Sequence, residues 1–373
     1  MHPPSTLHET RRQWFAAALR GEAPAWTGLL GEVDEVLVDA STEGVAPLLH
    51  RESSTRKDRW QLPEALEQGL AEATRAEVVS TLLRESECLR ILLCLAEARL
   101  PALLLKGSAL AYWAYDLPYL RPCVDIDFLF VSYEAAMAAS LALQALGYVP
   151  LSRALPGNLT TFEVGCVRVV ADTQIWVDLH WGVGGGPVFA DRLRVDELFA
   201  AAISLPKLAP TARGIGPVHA YLHNSTHRAM QLHLGTGDRL KWHYDLHRLA
   251  CSFTANDWDR LVELCEQRSL AGACLDAMQA SAALFKTGVP PTVVTRLTLA
   301  ARGEKPDIRR MHSWKYVEYV NFRAQPTLRH RIRWFKQRLF PDRIYLDDMY
   351  GGRWSGYGRY LRKGIRKFFG FTS

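Results

Sequence analysis

The sequence predicts an α+β fold: a small mixed β-sheet flanked by helices, with an N-terminal helical region before it and an all-helical C-terminal domain after it. Two observations carry this. Apolar and polar residues alternate at period two only between about residues 99 and 205, and on either side of that window apolar residues recur at helical spacing. Of the 373 residues, 48% are hydrophobic and 23% charged, with 26 Gly and 19 Pro. That composition excludes a disordered, collagenous or repetitive chain and supplies enough apolar material for two or three packed units. The units expected are 1–98 (helical), 99–205 (sheet core), 206–300 (helical) and 301–373 (a basic, aromatic segment).

Taken in order, Pro63 to Leu100 carries Leu82, Leu83, Leu89, Leu92, Leu93 and Leu95 with charges between them and no proline after Pro63, so it reads as helix. Pro101 ends it. Ala102 to Leu105 is a short apolar run that stops at Lys106-Gly107-Ser108 and leads into a helical stretch, giving strand, tight turn, helix. Val124 to Val131 alternates strictly, which puts Asp125 and Asp127 on one strand face and Ile126 and Phe128 on the other. Ser132 is placed to cap a helix that Gly147 stops. Thr161 to Val164 and Val167 to Val170 suggest a hairpin turning at Gly165-Cys166, followed by a strand from Ile175 to Trp181. Gly182 to Pro187 reads as a mobile loop, and 206–217 as a connection. Helical patterns then cover roughly 218–232, 239–250, 257–267, 270–285 and 291–299.

Two carboxylates at i and i+2 on one strand stand about 7 Å apart at their Cα atoms, close enough to converge on one or two divalent cations. A third carboxylate from a neighbouring strand would complete such a site, and Asp178 is the natural candidate. Backbone N–H groups at the Gly107-Ser108 turn, with the serine hydroxyl, can meet phosphate oxygens at a helix N-terminus. Lys106 and Arg121 lie where an anionic substrate would approach. Together these features point to phosphoryl chemistry on a nucleotide. An Asp-x-Asp strand also fits a glycosyltransferase acting on a nucleotide-sugar, and a non-catalytic RNA- or partner-binding adaptor is the alternative outside the enzyme class.

The ordered set Gly107-Ser108, Asp125-Ile126-Asp127 and Asp178 resembles the DNA polymerase beta-like nucleotidyltransferase superfamily. More narrowly, Lys106-Gly107, Arg121-Pro122-Cys123-Val124-Asp125-Ile126-Asp127 and Asp178-Leu179-His180-Trp181 are similar to an uncharacterised bacterial nucleotidyltransferase family, with the likeness running from about Glu85 to Leu297. The resemblance implies transfer of a nucleoside monophosphate from an NTP, ATP among them, to a hydroxyl, with release of pyrophosphate. It implies Mg²⁺ (or Mn²⁺) held by Asp125, Asp127 and Asp178. Asp178 would also help to deprotonate the acceptor, and Lys106, Gly107, Ser108 and Arg121 would contact the nucleotide. The acceptor could be a protein, a small molecule or an RNA.

His180 is expected on the strand face opposite Asp178, in a packing or supporting role. His219, His223 and His227 recur every four residues, but three successive helical turns span about 12 Å, too far for one ion. They read as a polar helix face over the cleft or as buried histidines. The seven cysteines are odd in number, scattered and never in a Cys-x-x-Cys pair, so they are expected as small core residues in a reduced, cytoplasmic protein. No window supplies the about 20 apolar residues of a membrane span. The net charge is +6, yet Arg323 to Lys367 holds 13 Lys and Arg against Asp342, Asp347 and Asp348, leaving the rest of the chain negative. A segment of that kind suits an anionic partner, and its aromatic residues suit a packed cap.

Overall fold

The computed structural model describes residues 6–56, 60–151, 159–234, 238–341, 346 and 356–363. The chain begins with α1 (Thr6–Leu19), α2 (Val33–Thr42), α3 (Ala46–Thr55) and the long α4 (Glu64–Glu97). The sheet region follows as β1 (Leu103–Leu104), α5 (Lys106–Trp113), β2 (Asp125–Leu129), α6 (Tyr133–Ala145), β3 (Val149–Pro150), β4 (Glu163–Val170), β5 (Thr173–His180), α7 (Pro187–Ala190), α8 (Val195–Ala200), β6 (Ile203–Ser204) and β7 (Arg213–Gly214). The Ser132 side chain accepts from Ala135 N and caps α6 as expected. Helices α9 (Pro217–Gln231), α10 (Leu240–Ser252), α11 (Ala255–Arg268), α12 (Ala271–Phe285), α13 (Pro291–Ala300), α14 (Trp314–Arg323) and α15 (Leu328–Leu339) follow, and residues 356–363 are helical as well.

The fold is α+β, and its sheet is mixed, in the order β3-β4-β5-β2-β1-β7-β6. β2 and β5 pair in parallel, while β4 and β5 form an antiparallel hairpin. That hairpin does not turn at Gly165-Cys166. β4 runs straight through both residues, and the chain reverses at Ala171 and Asp172, which both have positive φ (45° and 62°). Two such residues in a two-residue loop match the right-handed twist of the flanking strands, and neither is a glycine, so the turn left no glycine signal. The loop after β5 also differs from expectation. Gly182, Val183, Gly184 and Gly186 are buried, and Gly186 rests against Met230 and Asn321. Residues 213–214, read as connection, pair with β1 and β6 instead.

Two apolar clusters organise the molecule. Ile126, Phe128, Ile175, Val177 and Leu179 on one sheet face pack with Ile91 and Leu95 of α4 and with Ala136, Ala139 and Leu143 of α6. The second cluster joins Phe15, Leu48 and Leu49 from the N-terminal helices to Leu246, Leu261, Met278 and Leu284 from α10–α12, so the two helical regions share one core. Strand alternation then leaves the opposite sheet face for the acidic residues. Among the cysteines, Cys88, Cys166, Cys265 and Cys274 are buried and Cys251 is exposed. No helix among the described residues is long and apolar enough to cross a membrane. In the basic segment, Trp334 packs against Phe322 of α14, whereas Tyr345, Tyr350, Trp354, Arg343, Arg353, Arg366 and Lys367 lie outside the described residues.

Candidate active site

Parallel pairing sets the register of the site. Asp127 of β2 lies directly opposite Asp178 of β5, Asp125 opposite Trp176, and Leu129 opposite His180. One donor atom from each of Asp127, Asp178 and His180 falls within 4.8 Å of the others. His180 therefore shares the face of Asp178, contrary to the expectation, because residues two apart on a strand point the same way. Its Nε2 lies 2.9 Å from Asp127 Oδ1 and its Nδ1 3.0 Å from Glu163 Oε2. Glu163 reaches it from β4, where the hairpin register sets it opposite His180. Gly165 stands opposite Asp178 in the same hairpin, and a Cβ there would come within 3.3 Å of Asp178 Oδ1. The glycine leaves room for that carboxylate.

The turn after β1 supplies a cation. Lys106 opens α5 with φ of 46°, a left-handed conformation that costs a lysine about 1 to 3 kcal/mol. Its Nζ donates to Asp127 Oδ1 at 2.6 Å. The Ser108 hydroxyl donates to Asp125 O at 3.1 Å and accepts from Asp127 N at 3.2 Å, fastening α5 to β2. A Cβ on Gly107 would meet Cys123 Sγ at 2.6 Å and Arg121 Nη1 at 2.9 Å, so any side chain there would have to displace Cys123 and the buried Arg121 guanidinium. Arg121 is buried, and its Nε and Nη2 donate to both oxygens of Asp245 on α10 at 2.6 to 2.9 Å. Tyr115 Oη donates to the same carboxylate at 2.7 Å.

Lys106, Gly107, Arg121, Asp125 and Asp127 form one wall of a cleft of about 140 Å³ whose other wall is Asn224 and His227 of α9, Arg239 at the N-cap of α10, and Lys241 and Trp242 of α10. His227 thus lines the cleft. His219 and His223 are buried, and His219 borders a separate groove with Glu197 and Arg260. Glu163 and Asn224 carry no motif and are reachable only through the hairpin register and the docking of α9.

Charge is unevenly compensated here. Neighbouring Asp127 and burial push the Asp125 carboxyl up. Burial, Asp127 and Glu163 push Asp178 up to about 7. Burial would also raise Asp127, but the Lys106 charge and the His180 hydrogen bond hold it well below the usual carboxylate range. Burial and Lys106 disfavour the His180 imidazolium, yet its bonds to Asp127 and Glu163 raise it to about 9. Across the cleft, burial and Lys106 depress His227 to about 3, and burial and Arg121 lower Lys241 to about 8.

Asp125, Asp127, Asp178 and Glu163 thus act electrostatically on one another and on two cationic side chains (Lys106, His180); Asp127 and Asp178 belong to the close group and Asp125 does not, and with all four carboxylates ionised one divalent cation would balance the surplus. Both His180 nitrogens are already committed to carboxylates, so the available donors are oxygens, as a hard cation requires. The residues fit such an ion.

A family of uncharacterised nucleotidyltransferases matches residues 31–286. The chain belongs to this family. The match takes in every residue of the acidic centre and the cleft, and it begins well before the motifs that first suggested it, including α2 and α3. No curated protein and no solved structure matches the chain. This nucleotidyltransferase is accordingly an enzyme whose class of chemistry is nucleotidyl transfer onto an acceptor.

Proposed function

We propose that the protein transfers a nucleoside monophosphate from an NTP to a hydroxyl acceptor, with Mg²⁺ or Mn²⁺ held by Asp125, Asp127 and Asp178. The observation that carries this reading is the register of Asp127 and Asp178 on adjacent parallel strands, with Asp125 and Asp127 lining a cleft whose far wall carries Arg239 and Lys241. When bound, the cation neutralises the triphosphate and makes the acceptor hydroxyl more acidic. Arg239 and Lys241, on the far wall, attract and orient the phosphate groups. Gly107 lets the backbone of the β1–α5 turn approach them, while Ser108 keeps that turn fixed on β2. Lys106 holds Asp127 ionised and adds positive charge beside the phosphates. Arg121, fixed by Asp245, contributes its charge and shape to the same wall.

The acceptor oxygen bonds to the α-phosphorus as the bond to the bridging oxygen breaks, and pyrophosphate leaves. Asp178, held at the edge of its ionised form, takes the proton from the acceptor hydroxyl. Charge develops on phosphoryl oxygens, so positioning and electrostatics suffice without a nucleophilic side chain. Calorimetric titration with ATP, CTP, GTP and UTP, with and without Mg²⁺, tests the reading. Cation-dependent binding of at least one NTP supports it. Binding of a nucleotide-sugar in preference to every NTP defeats it.

A further inference from the structure

We propose that α15 docks this enzyme on the surface of an anionic lipid membrane, lying flat with one face in the headgroup region. The helix reads Leu-Arg-His-Arg-Ile-Arg-Trp-Phe-Lys-Gln-Arg-Leu and contains no acidic residue. Leu328, Ile332, Phe335 and Leu339 follow each other at steps of four, three and four, so at 100° per residue they fall within one narrow stripe. They are 70%, 50%, 53% and 38% exposed, and Phe340 just beyond them is 65% exposed. Arg329, Arg333 and Lys336 lie on one side of the stripe and Arg331 on the other, where Arg338 is turned to Glu318 of α14. An apolar stripe between cationic flanks is the pattern of an interfacial helix, in which the apolar side chains enter the acyl boundary and the cations meet lipid phosphates.

The outward direction of the stripe is fixed by what holds the opposite side. Trp334 is buried against Phe322 of α14, with ring centroids 5.9 Å apart. Arg338 pairs with Glu318 of α14 at 2.6 Å, and Gln337 Oε1 accepts from Leu159 N at 2.9 Å. The Thr327 hydroxyl caps the helix by accepting from His330 N. Tyr357 Oη donates to Leu339 O at 3.1 Å and its ring stacks on Phe340 with centroids 6.1 Å apart, which ties 356–363 to the end of the helix while Leu328, Ile332, Phe335 and Leu339 stay exposed. Charge alone would suit a nucleic acid as well. Three of the four stripe residues are aliphatic, however, and a phosphodiester chain has no apolar surface to match them, whereas an acyl layer does. The stripe lies beyond residues 31–286, so the docking surface is separate from the family's matched region.

Co-sedimentation of the full chain with vesicles tests this, using phosphatidylcholine alone and phosphatidylcholine with phosphatidylserine. The expected result is binding to the anionic vesicles only. The Ile332→Asn/Phe335→Asn variant should lose it at least tenfold while keeping the wild-type melting temperature, since both side chains are already exposed. Arg329→Glu and Lys336→Glu should each weaken it roughly fivefold or more and steepen no other property. Absence of binding to anionic vesicles overturns the proposal, and so does binding that the Asn variant leaves unchanged. Salt-sensitive binding of a structured RNA without vesicle binding overturns it in favour of a nucleic acid. A wild-type dimer that the Asn variant converts to monomer, again without vesicle binding, overturns it in favour of a second copy of this chain.

Discussion

Asp127 and Asp178 are Cα partners across the parallel β2–β5 pair. Their separation is set by strand hydrogen bonds, not by side-chain packing, and both face away from the apolar core that holds the two strands together. The same pairing sets their electrostatics. Asp127 takes both nearby cations, Lys106 and His180, and Asp178 is then raised by burial first and by the ionised Asp127 carboxylate second.

Asp127→Asn should lower nucleotidyl transfer by about 10²- to 10³-fold. An amide keeps the shape and can still accept from Lys106, so the circular-dichroism spectrum should match wild type. Transfer of label from the preferred NTP, measured beside that spectrum, checks it. A near-wild-type rate would place the chemistry elsewhere.

Asp178 gives a pH signature without turnover. Its carboxyl titrates at about 7 in the folded protein and at about 3.9 in the unfolded chain. The folded state therefore holds a proton that the unfolded state has released. The stability from this group is complete below about pH 4 and is lost as pH rises to about 7. Asp178→Asn should flatten that part of a melting-temperature profile. A cation binds the ionised carboxylate, so the gain in melting temperature from Mg²⁺ should be larger at pH 8 than at pH 5.5. A pH-independent gain would remove Asp178 from the donor set.

How much of this was legible follows residue by residue. Asp125 and Asp127 announced themselves because strand alternation is a local rule, and Ser132 because a cap acts within four residues. Glu163 did not, since its partnership with His180 needs a hairpin register set at Ala171-Asp172, a turn without glycine. The shared face of Asp178 and His180 was within reach of the same period-two rule that placed Asp125 and Asp127. The contacts that Asn224 and Asp245 make lay beyond local reasoning. Each residue meets the sheet region only because α9 and α10 dock against it, and docking is decided by the apolar core of the helices rather than by the polar residues it brings together.

Gly165→Ala should separate activity from stability. Its Cβ would lie 3.3 Å from Asp178 Oδ1 and 3.2 Å from Leu151 Cδ1, distances that small shifts of either neighbour can relieve. Alanine also loses less backbone entropy than glycine in a strand, so the melting temperature should stay within a few degrees of wild type. The displaced carboxylate should cost kcat about tenfold or more, because small errors in position are expensive at a reacting centre. Unchanged kcat would mean that Asp178 tolerates movement.

Arg121 presents two roles that one set of variants can separate. It is buried and grips Asp245 on α10, with Tyr115 Oη on the same carboxylate, so it ties the sheet region to the helical unit. Arg121→Ala leaves the Asp245 charge buried with only a tyrosine partner, and should cost about 3 to 5 kcal/mol in denaturant unfolding. Replacing the whole group by Tyr115→Phe, Arg121→Met and Asp245→Leu removes every unpaired charge. Pro122 O, which accepts from Arg121 Nη1 at 2.8 Å, keeps Lys241 Nζ at 3.0 Å as a donor. The triple variant should therefore recover most of the lost stability. If it folds and binds NTP with wild-type affinity, Arg121 is an anchor only. If it folds but binds NTP several-fold more weakly, the guanidinium charge also acts on the phosphates across the cleft.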